Sequence, residues 1–269
     1  MSAALTLLAQ IAPDFAGLCA QPDTGVGRLS LPIQLVDGRT ISYSLELRDF
    51  DGVVSVREAV PERLPAFCPE RHINSDGTFC LSYSPVQPLK VEDENSARAW
   101  LETLYKFLKL QERVKSQRKW PNDHGWAHGG AAKHQLQARI AANKLGPKIR
   151  DALSLRQLSV RRRFSKGRPL LELIHNGECL YRVWEAERKV ANGRRRCFCG
   201  SSGQRRSKAI RKCADHGKQA VEFVFELYDW DREERRYWDT MRGMKCCGTC
   251  DGCELADGQA GLANDGKSK

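Results

Sequence analysis

The sequence predicts an α+β fold followed by a cysteine-rich module, and three observations carry that prediction. Apolar residues near the N-terminus recur at helical spacing. Two runs then alternate apolar and polar residues on either side of Asp-Gly turns. Seven of the eleven cysteines crowd the stretch from Cys197 to Cys253, a density that a packed core does not need. Strands and helices falling in separate blocks, rather than strictly alternating, mark the α+β class.

The first element, "MSAALTLLAQIAPDFAGL", reads as an amphipathic helix. It lacks the basic start of a signal peptide, and no stretch reaches the roughly 18 apolar residues of a membrane span, so a cytoplasmic location without membrane contact is expected. Next, "RLSLPIQLV" places Leu29, Leu31, Ile33 and Leu35 on one face, and Asp37-Gly38 turns the chain into "TISYSLEL" with Ile41, Tyr43, Leu45 and Leu47. Asp51-Gly52 turns it again into "VVSV", giving a three-stranded antiparallel meander. A proline-punctuated loop follows from Pro61 to Leu89. In "ENSARAWLETLYKFLKLQERVKSQRKW", Trp100, Leu104, Leu108 and Gln111 have helical spacing, with Asn95 or Ser96 able to cap the start. Its apolar stripe is expected to cover the sheet.

Beyond it, "WPNDHGWAHGG" is too rich in glycine for regular structure. Residues 131–155 read as helical with a break at Gly146-Pro147. "RPLLELIHNGECLYRVWEA" reads as a hairpin turning at Asn176-Gly177, and "AVEFVFELYDWDREERRYWDTM" as a strand running into a charged helix. The expected organisation is a first domain over residues 1–130, a basic connector over 131–195, a cysteine-rich module over 196–256 and a disordered tail over 257–269.

Within the long loop, "PERHINSDGTFCLSYSP" holds one cysteine, Cys80, behind a polar turn. A thiol on a loop beside a rigid sheet suits covalent chemistry, which needs access and some thiolate character. The bland alternative is a small buried residue that closes the loop. Cys68, between Phe67 and Pro69, has no such setting and is expected to be buried.

The run "ERHINSDGTFCL" resembles the active-site segment of ubiquitin-conjugating enzymes, whose fold (UBC) has a helix, an antiparallel meander, a His-Pro-Asn flap, then a Gly and Cys-Leu before a second helix. Element order, Gly77, Cys80 and Leu81 carry the resemblance over roughly residues 1–130. It is nearest to divergent bacterial members, including those of anti-phage CBASS operons, some of which bear a cysteine-rich C-terminal extension. The resemblance implies a transferase that carries an acyl thioester on Cys80. The acyl group would be the C-terminus of a ubiquitin-like or defence-system protein, supplied by a separate activating enzyme and passed on to an amine. It also implies an oxyanion donor ahead of the cysteine. The family's asparagine lies eight residues before the cysteine; here His72 holds that offset and Asn74 lies six before. His72 is the expected donor, with Asn74 shaping the loop. Asp123 and His124 are candidates for the general base, in the segment that returns over the cysteine in such enzymes. His124 and His128, four apart, could instead bind metal, but no third ligand is evident.

Two clusters of soft donors mark the tail. Cys197-x-Cys199 and Cys213-x-x-His216 supply four ligands of the kind that hold structural Zn²⁺, and the first pair with its Gly-Ser turn resembles the SEC-C zinc motif. Cys246, Cys247, Cys250 and Cys253 form a second candidate metal set. A site shared with the first cluster and a redox-active tail are the other readings. Residues 139–218 carry 22 lysines and arginines against 6 acidic residues. Such a segment fits nucleic acid or an acidic protein surface, so a catalytically inactive, zinc-stabilised binding module is the rival reading.

Overall fold

Two four-stranded antiparallel sheets, each backed by helices, make up the protein. The computed structural model describes residues 2–23, 25–86, 88–121, 125–197 and 209–256. Its contacts divide the chain into two units: Met1–Gly125 together with the segment from Arg242 onward, and Trp126–Met241. The segment carrying Cys246 to Cys253 thus groups with the N-terminal unit, whereas the sequence reading joined it to Cys197.

In the first unit, helix α1 (Ala3–Ile11) precedes strands β1 (Leu18–Asp23), β2 (Val26–Gln34), β3 (Thr40–Phe50) and β4 (Val53–Glu58), paired in chain order. The alternation seen in the sequence is the buried face: Leu29 opposes Leu45, Leu31 opposes Tyr43, and Leu47 opposes Val56, all buried. Strand β1 is an addition to the expected three-stranded meander. Helix α2 (Glu94–Gln117) packs Trp100, Leu101, Leu104 and Leu108 into the same core as Leu5 and Leu8 of α1. The indole of Trp100 donates to the Val54 carbonyl at 3.2 Å, so its one polar atom is satisfied inside the core. The N-cap of α2 is Asp93 rather than Asn95 or Ser96. Its carboxylate accepts from the Ser96 amide, and the Ser96 hydroxyl accepts from the Asp93 amide in a capping box.

In the second unit, α3 (Ala131–Leu145) and α4 (Pro147–Ser154) meet at Gly146, the expected break. Strands β5 (Leu158–Ser165), β6 (Arg168–His175), β7 (Glu178–Trp184) and β8 (Lys189–Val190) pair in order. Asn176 and Gly177 turn β6 into β7 with positive φ at both positions, as a tight hairpin requires. Residues 221–225 are not a strand. They lie inside α5 (Ala214–Thr240), where Ala220, Val221, Phe223, Val224 and Leu227 are buried at helical spacing against Ala138, Ala141 and Ala142 of α3. The alanines let the two helix axes approach closely. Among the described residues, no helix is long and apolar enough to cross a membrane.

Candidate active site and cysteine clusters

The loop bearing Cys80 is folded by short backbone pairings. Cys68 and Ile73 exchange amide hydrogen bonds, the Phe79 amide donates to Val56 of β4 at 2.8 Å, and the Cys80 amide donates to the His72 carbonyl at 2.8 Å. Phe79 is buried and stacks on Phe107 of α2 with ring centroids 5.0 Å apart. The residue just before the cysteine is therefore wedged between sheet and helix. Cys80 itself is exposed. Protein crowding one side of its sulfur displaces water and holds the thiol above its ordinary pKa.

The turn between the paired segments is Asn74–Thr78. Asn74 and Thr78 pair through the backbone, Gly77 takes φ +80°, and the Asp76 carboxylate accepts from both the amide and the hydroxyl of Thr78. Those bonds hold the Asp76 carboxyl below its usual range. Ile73 pairs with Phe79, both facing the core, so strand alternation sets Asn74 and Cys80 on the opposite, outer face. Asn74 is exposed there, its side-chain amide donating to the Thr78 hydroxyl at 3.0 Å. His72 is buried: its ring meets Trp120 edge-on at 4.9 Å, and its φ of +56° closes the turn after Pro69–Arg71. A side chain at Gly125 would place its Cβ 2.9 Å from His72 Nε2, so that nitrogen is covered by backbone that only glycine permits. Asp123 and His124 lie outside the described residues. His128 belongs to the second unit, where Nδ1 contacts Glu234 at 2.5 Å and the ring stacks on Tyr237.

The first soft-donor cluster assembles at the start of α5. Donor atoms of Cys197, Cys213 and His216 all lie within 4.8 Å of one another, with His216 Nδ1 3.3 Å from the Cys197 sulfur and 3.4 Å from that of Cys213. Backbone bonds from Ile210 to Arg195 and the bridge between Arg196 and Ala209 bring Cys197 alongside the helix start. Cys199 lies outside the described residues. Two thiols and an imidazole at this spacing form a group that could hold a metal ion.

The second cluster differs from its sequence reading. Cys246 hydrogen-bonds Cys253, whereas Cys247 and Cys250 each hydrogen-bond Cys68, some 180 residues earlier on the long loop. Cys68 and Cys250 are buried in the core of the first unit, as the sequence expected for Cys68. The Cys68 thiol is pushed up by its hydrogen bonds to Cys247 and Cys250. Cys247 is lowered to about 5 by the hydrogen bond from Cys68, then by Thr249 and the Arg71 charge. Arg71, also unmarked in the sequence reading, is fully buried. Its guanidinium donates to the Gln111 side chain at 2.7 Å and to Thr249 at 3.2 Å, tying loop, α2 and C-terminal segment together.

With this geometry in view, comparison with known families is decisive. Residues 18–122 match the prokaryotic E2 domain. The chain carries an E2-type domain with a cysteine-rich extension. Residues 127–255 match the cysteine-rich domain found C-terminal to E2 domains. An E2-type domain suggests a transferase of the ubiquitin-conjugating type and implies interaction with ubiquitin-like proteins or activating enzymes in general. No curated protein and no solved structure matches the chain.

Several arginines of the basic segment have carboxylate partners within their own sheet. Glu172 binds Arg161 and Arg182 at 2.7 and 2.8 Å, and Glu185 binds Arg162 at 2.7 Å. Part of the positive charge expected to attract nucleic acid is thus neutralised locally.

Proposed function

We propose that this E2-type protein carries the C-terminus of a ubiquitin-like or defence-system protein as a thioester on Cys80. The observation that carries the proposal is the exposed Cys80 thiol on a loop pinned to β4 and α2. The thiolate attacks the carbonyl of an incoming thioester presented by an activating enzyme, and the donor's thiol leaves with the proton balance restored from solvent. An acceptor amine then attacks the Cys80 thioester, expelling the Cys80 thiolate and leaving an amide. Each attack creates a tetrahedral oxyanion.

For its stabilisation the exposures favour Asn74 over His72. Asn74 has a second amide hydrogen beyond the one given to Thr78, and it stands on the same face as Cys80. His72, packed on Trp120 and accepting the Cys80 amide through its carbonyl, acts as a positioning residue. In this reading Cys197, Cys199, Cys213 and His216 hold Zn²⁺. The ion closes the segment entering α5, and its chemistry is structural rather than catalytic.

The test is transfer from an activated ubiquitin-like partner onto the purified protein. A reductant-sensitive adduct should form, and Cys80→Ser should convert it to a reductant-resistant ester. Absence of a Cys80-dependent adduct with an activated ubiquitin-like partner contradicts the proposal.

A further inference from the structure

We propose that Cys68, Cys247 and Cys250 bind a second structural metal ion of the Zn²⁺ class. The ion would staple the C-terminal segment onto the base of the Cys80 loop. The inference is independent of thioester chemistry at Cys80.

Three observations converge on it. First, the thiol of Cys68 hydrogen-bonds both Cys247 and Cys250, so three soft donors from distant parts of the chain come together, two of them buried and Cys247 half-buried against the core. Cys247-x-x-Cys250 is the two-residue interval that lets neighbouring thiolates grip one ion, and Cys250-x-x-Cys253 repeats it. Cys253 is buried but hydrogen-bonds Cys246, apart from these three.

Second, the buried guanidinium of Arg71 has Gln111 and Thr249 as its hydrogen-bond partners among the described residues, neither of them an anion. A buried cation requires negative charge nearby. Three thiolates around a divalent ion leave a net negative charge beside Arg71, which supplies that balance. Third, the segment is already tethered at its edges. The Asp251 amide donates to the Arg118 carbonyl at 2.7 Å, and Arg118 donates to Asp251 and to the Gly248 carbonyl.

Among the described residues only the Cys197 group has three donor atoms all within 4.8 Å of one another, so the Cys68 set is the looser. Binding would draw Cys247 and Cys250 inward around the ion and release the thiol protons to solvent.

Metal content of the full chain, purified with Zn²⁺, tests this directly. Cys68→Ser should lose about one ion per chain relative to the parent, while Cys80→Ser loses none. In case Cys68→Ser fails to fold, the apo Cys197→Ser, Cys213→Ser, His216→Ala protein, whose first donor cluster is dismantled, is titrated with Co²⁺. It should bind about one equivalent with a thiolate-to-cobalt charge-transfer band, since the Cys68 set is untouched. Unchanged zinc in folded Cys68→Ser, or absence of that band, would overturn the proposal.

Discussion

Cys68 and Cys80 stand twelve residues apart on one loop, pinned by the same short ribbon, yet the fold gives them opposite surroundings. Cys68 is 1% exposed, sealed under Cys247, Cys250 and the core of β-strands and α2. Cys80 emerges one residue beyond the Phe79 wedge and faces solvent. The difference comes from the partners each side chain meets across the chain, not from its immediate neighbours in sequence. A single loop thus holds a buried thiol at its base and an exposed one at its lip.

The largest effect that could break this comparison is loss of function confined to one of the pair. Cys80→Ser should abolish thioester formation with no change in melting temperature. Cys68→Ser should lower stability by ~3 kcal/mol or more, a fall of about 6–12 °C in Tm by calorimetry, while residual folded protein still forms the adduct. Equal loss of adduct in both variants without destabilisation would erase the distinction.

Next in size is the oxyanion donor. Asn74→Ala should slow transfer ~10²–10³-fold in single-turnover kinetics with stability little changed. His72→Ala should instead destabilise the loop by ~1–3 kcal/mol, because Trp120 keeps Phe107 but loses the His72 ring. The reverse pattern would return the donor role to His72.

A smaller signature lies in pH. The Cys80 thiol sits above its ordinary value, so the reactive thiolate grows as pH rises and is scarce below that range. Adduct formation should keep rising tenfold per unit through the ordinary thiol range of about 8.5 rather than levelling off below it. A plateau near neutrality would mean a lowered pKa. Smallest is Asp76→Ala, which removes two hydrogen bonds behind Thr78 and should cost about 1–2 kcal/mol, with a modest loss of transfer through a looser Asn74.

Much of the first unit could be read from alternation and turn chemistry. Leu29 to Leu47 across Asp37-Gly38, and the Trp100 to Leu108 stripe, are local patterns that burial enforces. Strand β1 escaped because "LCAQPD" is short and interrupted by proline. Strand β5 escaped because the run Arg161 to Arg163 hides its period; Arg161 pairs with Glu172 of β6 and Arg162 with Glu185 just past β7. Val221, Phe223 and Phe225 mimic a strand, but Ala220, Val224 and Leu227 belong to the same buried helical face. At the site, the cysteine loop was legible from its order of glycine, cysteine and leucine. The junction of Cys68 with Cys247 and Cys250, and the buried role of Arg71, were not, since no local pattern encodes a contact across so long a stretch of chain.

Alkylation of the native full-length protein, read by peptide mapping over time, tests the central claim most directly. Cys80 should be labelled quickly by iodoacetamide at pH 8–9, while Cys68 stays unmodified until the protein is denatured in chelator. Slow or absent labelling of Cys80, or labelling of Cys68 at a matching rate in the native state, would contradict the account.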